Sequence, residues 1–445
     1  MSENNGPGFI DPNYGENGLA AIPAPGLDPA VYTLQVFPAA CAPDGSMAFY
    51  GYAPGPTPKY GWFTRLNADG QWDSATGHVP VSTEQAKPLP EYVYNFASMI
   101  HAVVDGAECY LTASRVLYVD DPDVAYLHVA IGRYDAEDFK PSVDFGDDGI
   151  ALPKPSWQTS GHSRPIESQK LRAKIPHSKQ ELNAVDYRDT PKLGVIDDTI
   201  RVIFGGAYDN ADTTKENTWC ALLDAKTGEP VSGLGPEGKE SQYRLTLIDD
   251  ESTTLYHAEF LSDGGGLLLS STDRKMYLHR FLPNALPDKT FANGQGYIVL
   301  PSGGHKAGMA VNDHKIVVSR SGNLGEAATE LYCYTLAGEE ETTFRRSLSV
   351  PGHTLILDHL SFDSQDRLVL AGQRNSAAAE SGMQVVRLLT NGELDADFGQ
   401  GGYSPVNEYQ AASNGLYLND QGVRVLTLMP VGFGPFYEQM VKFYS

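Results

Sequence analysis

The chain has 445 residues, with 45 glycines, 29 prolines, 41% hydrophobic side chains and a formal net charge of −23 from 33 basic and 56 acidic residues. That composition describes a turn-rich globular chain rather than a disordered one, long enough for two or three average domains or one large all-β domain. The acidic balance excludes nucleic-acid binding through a broad basic face and gives an anionic membrane nothing to attract.

No run of 18 apolar residues is present, so no membrane span is expected. The N-terminal MSENNGPGF lacks the basic and apolar segments of a signal peptide. A cytoplasmic protein is expected, or one exported without a classical signal. Cys41, Cys109, Cys220 and Cys333 show no CxxC or metal-type spacing and read as structural thiols.

Two anchors recur along the chain. One runs from a strand into a turn: RLNADG at 65–70, CYTLAG at 333–338 and RLLTNG at 387–392. Looser copies stand at 133–138, 222–228 and 280–285, and KFYS at 442–445 begins a seventh. The other is a tight turn rich in Asp, Asn and Gly followed by a β-rich strand. It stands at 43–51, 104–113, 197–206, 262–270, 312–319, 364–372 and 419–428. Asp-Gly pairs permit the positive φ of two-residue hairpin turns.

The continuation missing from the copy at 442–445 lies at the other end of the chain. IDPNYGENG at 10–18 matches LDADFGQGG at 394–402, with Asp11 over Asp395, Tyr14 over Phe398 and Gly15 over Gly399. Weaker versions stand at 72–77, 143–149 and 287–296. Seven units of about 50–90 residues, each with some four strand-sized segments, predict a single all-β domain over 1–445, a seven-bladed β-propeller. Strands near 18–22 and 437–444 are expected to share one blade and close the ring, which removes free sheet edges.

These anchors resemble the delta-60 repeat, whose consensus is similar to RLNADGSLDTSFG followed by a glycine-rich turn and a DGKIVVAG segment. The resemblance covers nearly the whole chain, best at 362–402 and weakest at 135–260. It implies a propeller of bacterial type and carries no catalytic motif, so it speaks to fold rather than function.

With strands ordered from the centre outward, the two kinds of short turn fall on one face of the propeller. The long connections fall on the other, here termed the top. They comprise 114–128, 205–219 and 371–383 between second and third strands, and 81–96, 153–193 and 234–254 between blades. Irregular loops on a rigid scaffold are where binding residues concentrate. The outlier, 153–193, carries eight basic residues against four acidic ones and reads as an insertion loop that is either a partner-binding lid or a docked structural segment. Candidate ligand-binding residues are Trp157, His162, Arg164 and His177 within it, with Tyr208 and Trp219 on a neighbouring connection.

No HExxH or HxH pair, nucleophile elbow, phosphate-binding loop or DxDxDG calcium loop is present, so no catalytic residue is assigned. His101, His257 and His359 fall near the inner strands of three blades and are the fallback ligands for calcium or another divalent metal. Their distances from the Asp of the nearest turn differ, so they are not expected to form one layer. The expectation is a monomeric, non-enzymatic protein presenting its top loops to a protein or carbohydrate partner. The alternative is a metal-dependent hydrolase or lyase with its site at the central channel.

Overall fold

Residues 395–399, Asp-Ala-Asp-Phe-Gly, show how one repeat is locked. Phe398 is fully buried, and Gly399 turns the chain at φ +56°. A Cβ on Gly399 would stand 2.1 Å from the Tyr403 carbonyl oxygen, so only glycine fits. Gly15 and Gly146 repeat the geometry, with φ of +56° and +58° and equally close carbonyls at Leu19 and Ile150. In each case the glycine N–H donates to a carbonyl of the next repeat, at Pro7, Asp69 and Thr227 respectively. The motif therefore joins blades as well as turning the chain.

The computed structural model describes residues 6–22, 35–53, 60–81, 92–121, 124–153, 191–206, 217–245, 254–271, 275–301, 306–321, 328–344, 347–375, 382–405, 412–420, 422–429 and 437–444. All described regular structure is β, in seven antiparallel sheets. From inner to outer strand, the first blade is Gln35–Cys41, Met47–Ala53, Tyr60–Leu66 and Val79–Val81. The second is Tyr92–Val104, Ala107–Asp121, Val124–Asp135 and Ile150–Ala151. The third is Lys192–Ile196, Thr199–Gly206, Asn217–Asp224 and Gln242–Arg244. The fourth is Thr254–Phe260, Gly266–Ser271, Met276–Phe281 and Tyr297–Leu300.

The fifth blade is Lys306–Val311, Lys315–Ser321, Ala328–Thr335 and Ser347–Ser349. The sixth has three strands, Thr354–Phe362, Leu368–Asn375 and Gly382–Leu388, and its fourth is reduced to a single bridge between Val386 and Tyr403. The seventh takes Ala412–Asn419, Gly422–Met429 and Tyr437–Phe443 from the C-terminal end and Leu19–Ala21 from the N-terminal end. Leu19 pairs with Val441 and Ala21 with Gln439, as the split repeat predicts. This is the arrangement of a seven-bladed β-propeller. The first, fifth, sixth and seventh blades belong to one compact unit, Met1–Val81 with Gly303–Ser445; the second, third and fourth belong to the other, Ser82–Ser302.

Within each unit the core is a series of apolar layers between blades. Leu111, Val129, Ile131 and Phe145 of the second blade meet Ile200, Val202, Phe204 and Leu223 of the third. Val317, Leu331 and Leu348 of the fifth meet Leu355, Leu357, Leu368 and Leu370 of the sixth. Burying each such side chain contributes about 1.5–3 kcal/mol relative to exposure. The middle strands accordingly read as short continuous apolar runs, such as Leu267–Leu269 and Leu368–Ala371, because each face meets a neighbouring blade.

A second repeated device sits beside these layers. A base on the third strand holds an acid at the start of the motif that follows: Arg65–Asp73 at 2.7 Å, Arg280–Asp288 at 3.1 Å and Arg387–Asp395 at 2.8 Å. In the seventh blade the pair is Lys442–Asp11 at 3.1 Å, assembled from the two ends of the chain. Arg387 also lies 4.6 Å over the Phe398 ring, a cation–π placement that partly compensates its burial. The four cysteines are free thiols, three of them buried, and burial pushes Cys220 and Cys333 up to about 12.

Candidate functional site

Each blade has two unlike ends. At one, the first and second strands are joined by short turns held by side-chain oxygens. Asp44 Oδ1 accepts from Ser46 N at 2.8 Å, Asp263 Oδ1 from Gly265 N at 2.7 Å, and Asp363 Oδ1 from Gln365 N at 2.9 Å. Asp105-Gly106 and Asp197-Asp198 take positive φ at both central positions, as two-residue hairpin turns of this twist require. Turns between third and outer strands lie at the same end and close alike, with Asn67 Oδ1 accepting from Asp69 N and Gln71 N. At the opposite end lie the connections that vary from blade to blade.

Those connections differ from expectation in three places. Residues 114–128 are not a loop: the strands Ala107–Asp121 and Val124–Asp135 pair almost to their ends, so this stretch is a long β-hairpin. Its Val and Tyr residues, at Val116, Tyr118, Val119, Val124 and Tyr126, have the β-propensity to extend the ladder. Residues 234–254 are not one inter-blade loop either. A bridge joins Leu234 to Glu240, and the outer strand Gln242–Arg244 follows, so the connection between blades begins only after this strand. Lys192 and Leu193, taken with the long insertion, already belong to the inner strand of the third blade.

Trp157, His162, Arg164, His177 and Tyr208 lie outside the described residues. Trp219 is described and is a strand residue, paired with Phe204 and Arg244 and half-buried against the apolar layer between second and third blades. Its ring serves that layer at its upper edge, which places it in the core rather than on a loop.

His101, His257 and His359 do lie on inner strands, and they share one ladder position. Each pairs with the fourth residue of the adjacent strand: Tyr110, Leu269 and Ala371. Counting from the turn aspartates hid this equivalence because Asp263 and Asp366 occupy different places within five-residue turns. Each histidine has a local acid, with Nε2 3.7 Å from Glu108, 3.4 Å from Glu259 and 3.9 Å from Asp358 respectively. His101 also meets the Tyr110 ring edge-on at 5.5 Å. Among the described residues no three His, Cys, Asp or Glu side chains come together as a metal site.

The inner strands also carry charge that sequence spacing did not single out. Lys192 and Lys306 each open an inner strand as Lys-x-Gly. Lys306 Nζ lies 3.0 Å from Asp358 of the sixth blade. In the other unit, desolvation lowers the Lys192 ammonium while the Glu259 carboxylate opposes it. Desolvation raises Glu259 less than the His257 hydrogen bond and the charges of His257 and Lys192 lower it, so it ends below its ordinary value. A Lys at the first position of a strand, two residues before a glycine, was the signal available in the sequence.

No family model and no curated protein matches the chain. Solved structures do. The polysaccharide lyase Uly1 is similar with a TM-score of 0.50 at 10% identity, over 96% of this chain and 93% of that one. Prolyl oligopeptidase B from Galerina marginata gives 0.44 at 10% identity, over 89% of this chain and 47% of that one. A puromycin hydrolase gives 0.41 at 12% identity, over 90% and 50%. The chain thus spans about half the length of the last two. At these identities the likeness is one of fold alone.

Proposed function

We propose that this chain is a non-enzymatic binding protein, built from bacterial repeats of the delta-60 kind, that presents its variable connections to a protein or carbohydrate partner. The observation that supports the reading is the contrast between blade ends. One end repeats the same side-chain-closed turns from blade to blade; the other differs in length and form, from the long hairpin at 107–135 to the insertion at 153–193. A rigid scaffold with variation at one end is the usual layout of a recognition surface. The insertion, locally basic in an acidic chain, is the specificity element.

The test compares the intact protein with a variant whose 153–193 segment is shortened, in glycan arrays and in cross-linking pull-downs. Partner capture by the intact protein that falls at least tenfold in the variant supports the reading. Capture unchanged by the deletion removes the insertion from the site. A stoichiometric divalent ion in the purified protein, with turnover that chelation abolishes, would replace this reading with a metal-dependent hydrolase or lyase.

A further inference from the structure

At the variable end of the sixth blade, Arg374 has no acidic partner among the described residues. It is the penultimate residue of the strand Leu368–Asn375, cross-strand to Leu355 on one side and Gly382 on the other. Gly382 has no side chain to cover it. Leu355, Leu368 and Leu370 build the apolar layer between fifth and sixth blades, so Arg374 stands at the open end of that layer. Three arginines of this unit have their charge met by a carboxylate: Arg65, Arg367 and Arg387 lie beside Asp73, Asp363 and Asp395. No carboxylate lies within 4 Å of Arg374 among the described residues, in a chain with 56 acidic residues.

Two neutral side chains hold Arg374 instead. Its Nη1 donates to Gln384 Oε1 at 3.5 Å, and Gln384 is itself anchored by donating to the Ser404 carbonyl and to Ser404 Oγ. Its Nη2 donates to His353 Nε2 at 2.6 Å. A guanidinium cannot accept, so this contact fixes His353 as the neutral ring with its proton on Nδ1. Both Nδ1 of His353 and Nε of Arg374 are buried donors with no hydrogen-bond partner. The cluster holds donors and positive charge; its acceptors Gln384 Oε1 and His353 Nε2 are both taken by Arg374, and neither is an anion. Leaving buried donors unmet costs free energy, and a planar anion is what a guanidinium fork fits.

We infer that Arg374, positioned by Gln384 and His353 at the variable end of the sixth blade, is a carboxylate-binding site. The inference rests on the reading of that end as a recognition surface and gives its ligand a chemistry: a carboxylate on a sugar or on an acidic peptide. The Arg374 fork receives the carboxylate oxygens, and the unmet Nδ1–H of His353 is the further donor of the cluster.

Calorimetric titration of the full chain tests this with sodium glucuronate against glucose, and with N-acetylglutamate against N-acetylglutamine. Saturable binding of either acid, absent for its neutral analogue, is expected, and which acid binds tells a sugar acid from a peptide carboxylate. Arg374→Gln should weaken that binding about tenfold or more, whereas Arg374→Lys, which keeps the charge without the fork, should weaken it less. Both variants are checked by thermal melting. Should Arg374→Gln not fold, an Arg374→Lys variant binding as tightly as the wild type overturns the site. Failure of both acids to bind the wild type, or binding that Arg374→Gln leaves unchanged, overturns it too. Loss of partner capture on shortening 153–193 without acid binding refutes this site and leaves the recognition surface standing; acid binding without any capture does the reverse.

Discussion

Lys442 Nζ lies 3.1 Å from Asp11 Oδ2, with both side chains nearly buried. The pair is the seventh blade's version of Arg387–Asp395, drawn from opposite ends of the chain. Asp11 N donates to the Lys442 carbonyl and Asn13 N to Asp11 Oδ1. Burial raises the Asp11 carboxyl, but the Asn13 N–H and Lys442 outweigh it and leave it below its ordinary value. Removing one partner leaves the other charge buried and uncompensated. Asp11→Asn is expected to cost about 2 kcal/mol, and a cycle with Lys442→Met should recover much of it, read by denaturant unfolding.

The same logic ranks the equivalent pairs. Arg387 and Asp395 are 2% and 7% exposed, whereas Arg65 and Asp73 are each 22% exposed. Water reaches the second pair and screens it. Asp395→Asn should therefore cost about 3 kcal/mol and Asp73→Asn about 1. Equal losses in parallel denaturant titrations would contradict this account of burial.

The seventh blade also predicts what truncation does. Deleting residues 1–22 removes the outer strand Leu19–Ala21 and the buried ring of Tyr14, which lies in the apolar layer with Met47, Phe49 and Met440. It exposes the edge of Tyr437–Phe443, a template for pairing with other chains. The truncated protein should melt at a much lower temperature and elute partly as aggregate on size exclusion. A monodisperse variant with unchanged melting would show that the strand is dispensable.

How much of this was legible in the sequence follows from what repeats. The split blade could be read because Tyr14-Gly15 and Phe398-Gly399 are each a buried aromatic ring followed by a left-handed glycine, and such constraints leave matching residue types. The base–acid pairs repeat as well, and their spacing was available. The hairpin at 107–135 was missed because the residues flanking Asp120–Asp123 were counted into a long connection, 114–128, although the strands pair up to Asp121 and Val124. The shared ladder position of His101, His257 and His359 was hidden by counting from a residue whose place within the turn varies. The Arg374 cluster was not legible at all, since His353, Gln384 and Ser404 come together only through strand pairing.

The glycine of the repeated motif gives a backbone prediction. At Gly399 and Gly15 an added Cβ meets a carbonyl oxygen at 2.1 and 2.3 Å, and φ is +56° at both. Alanine must shift the carbonyl or the turn, and the N–H bonds to Pro7 and Asp69 shift with it. Gly399→Ala should cost about 2–3 kcal/mol. Gly401→Ala is the control, because its φ is +65° but nothing lies within 4 Å. It carries only the conformational penalty of about 1 kcal/mol. Matching losses at the two sites would remove the steric part of the argument.

His279 sets the acid limit of the fourth blade. It is 4% exposed, lies 3.2 Å from Ser270 Oγ and packs among the rings of Tyr277, Phe281 and Tyr297. Desolvation by burial lowers it to about 4 from an ordinary 6.5. The native state keeps the ring neutral while the unfolded state takes up a proton below about 6.5. Stability from this residue is therefore full above that value and falls as the pH drops towards about 4, where native protein also protonates and the loss levels off. Between these limits the loss amounts to about 3 kcal/mol. His279→Gln, which keeps a polar atom for Ser270 without a titrating ring, should be less stable than wild type at pH 7 yet lose less stability on acidification to pH 4.5. Thermal melts of both proteins across that range decide it, and parallel curves would mean that the acid sensitivity resides elsewhere.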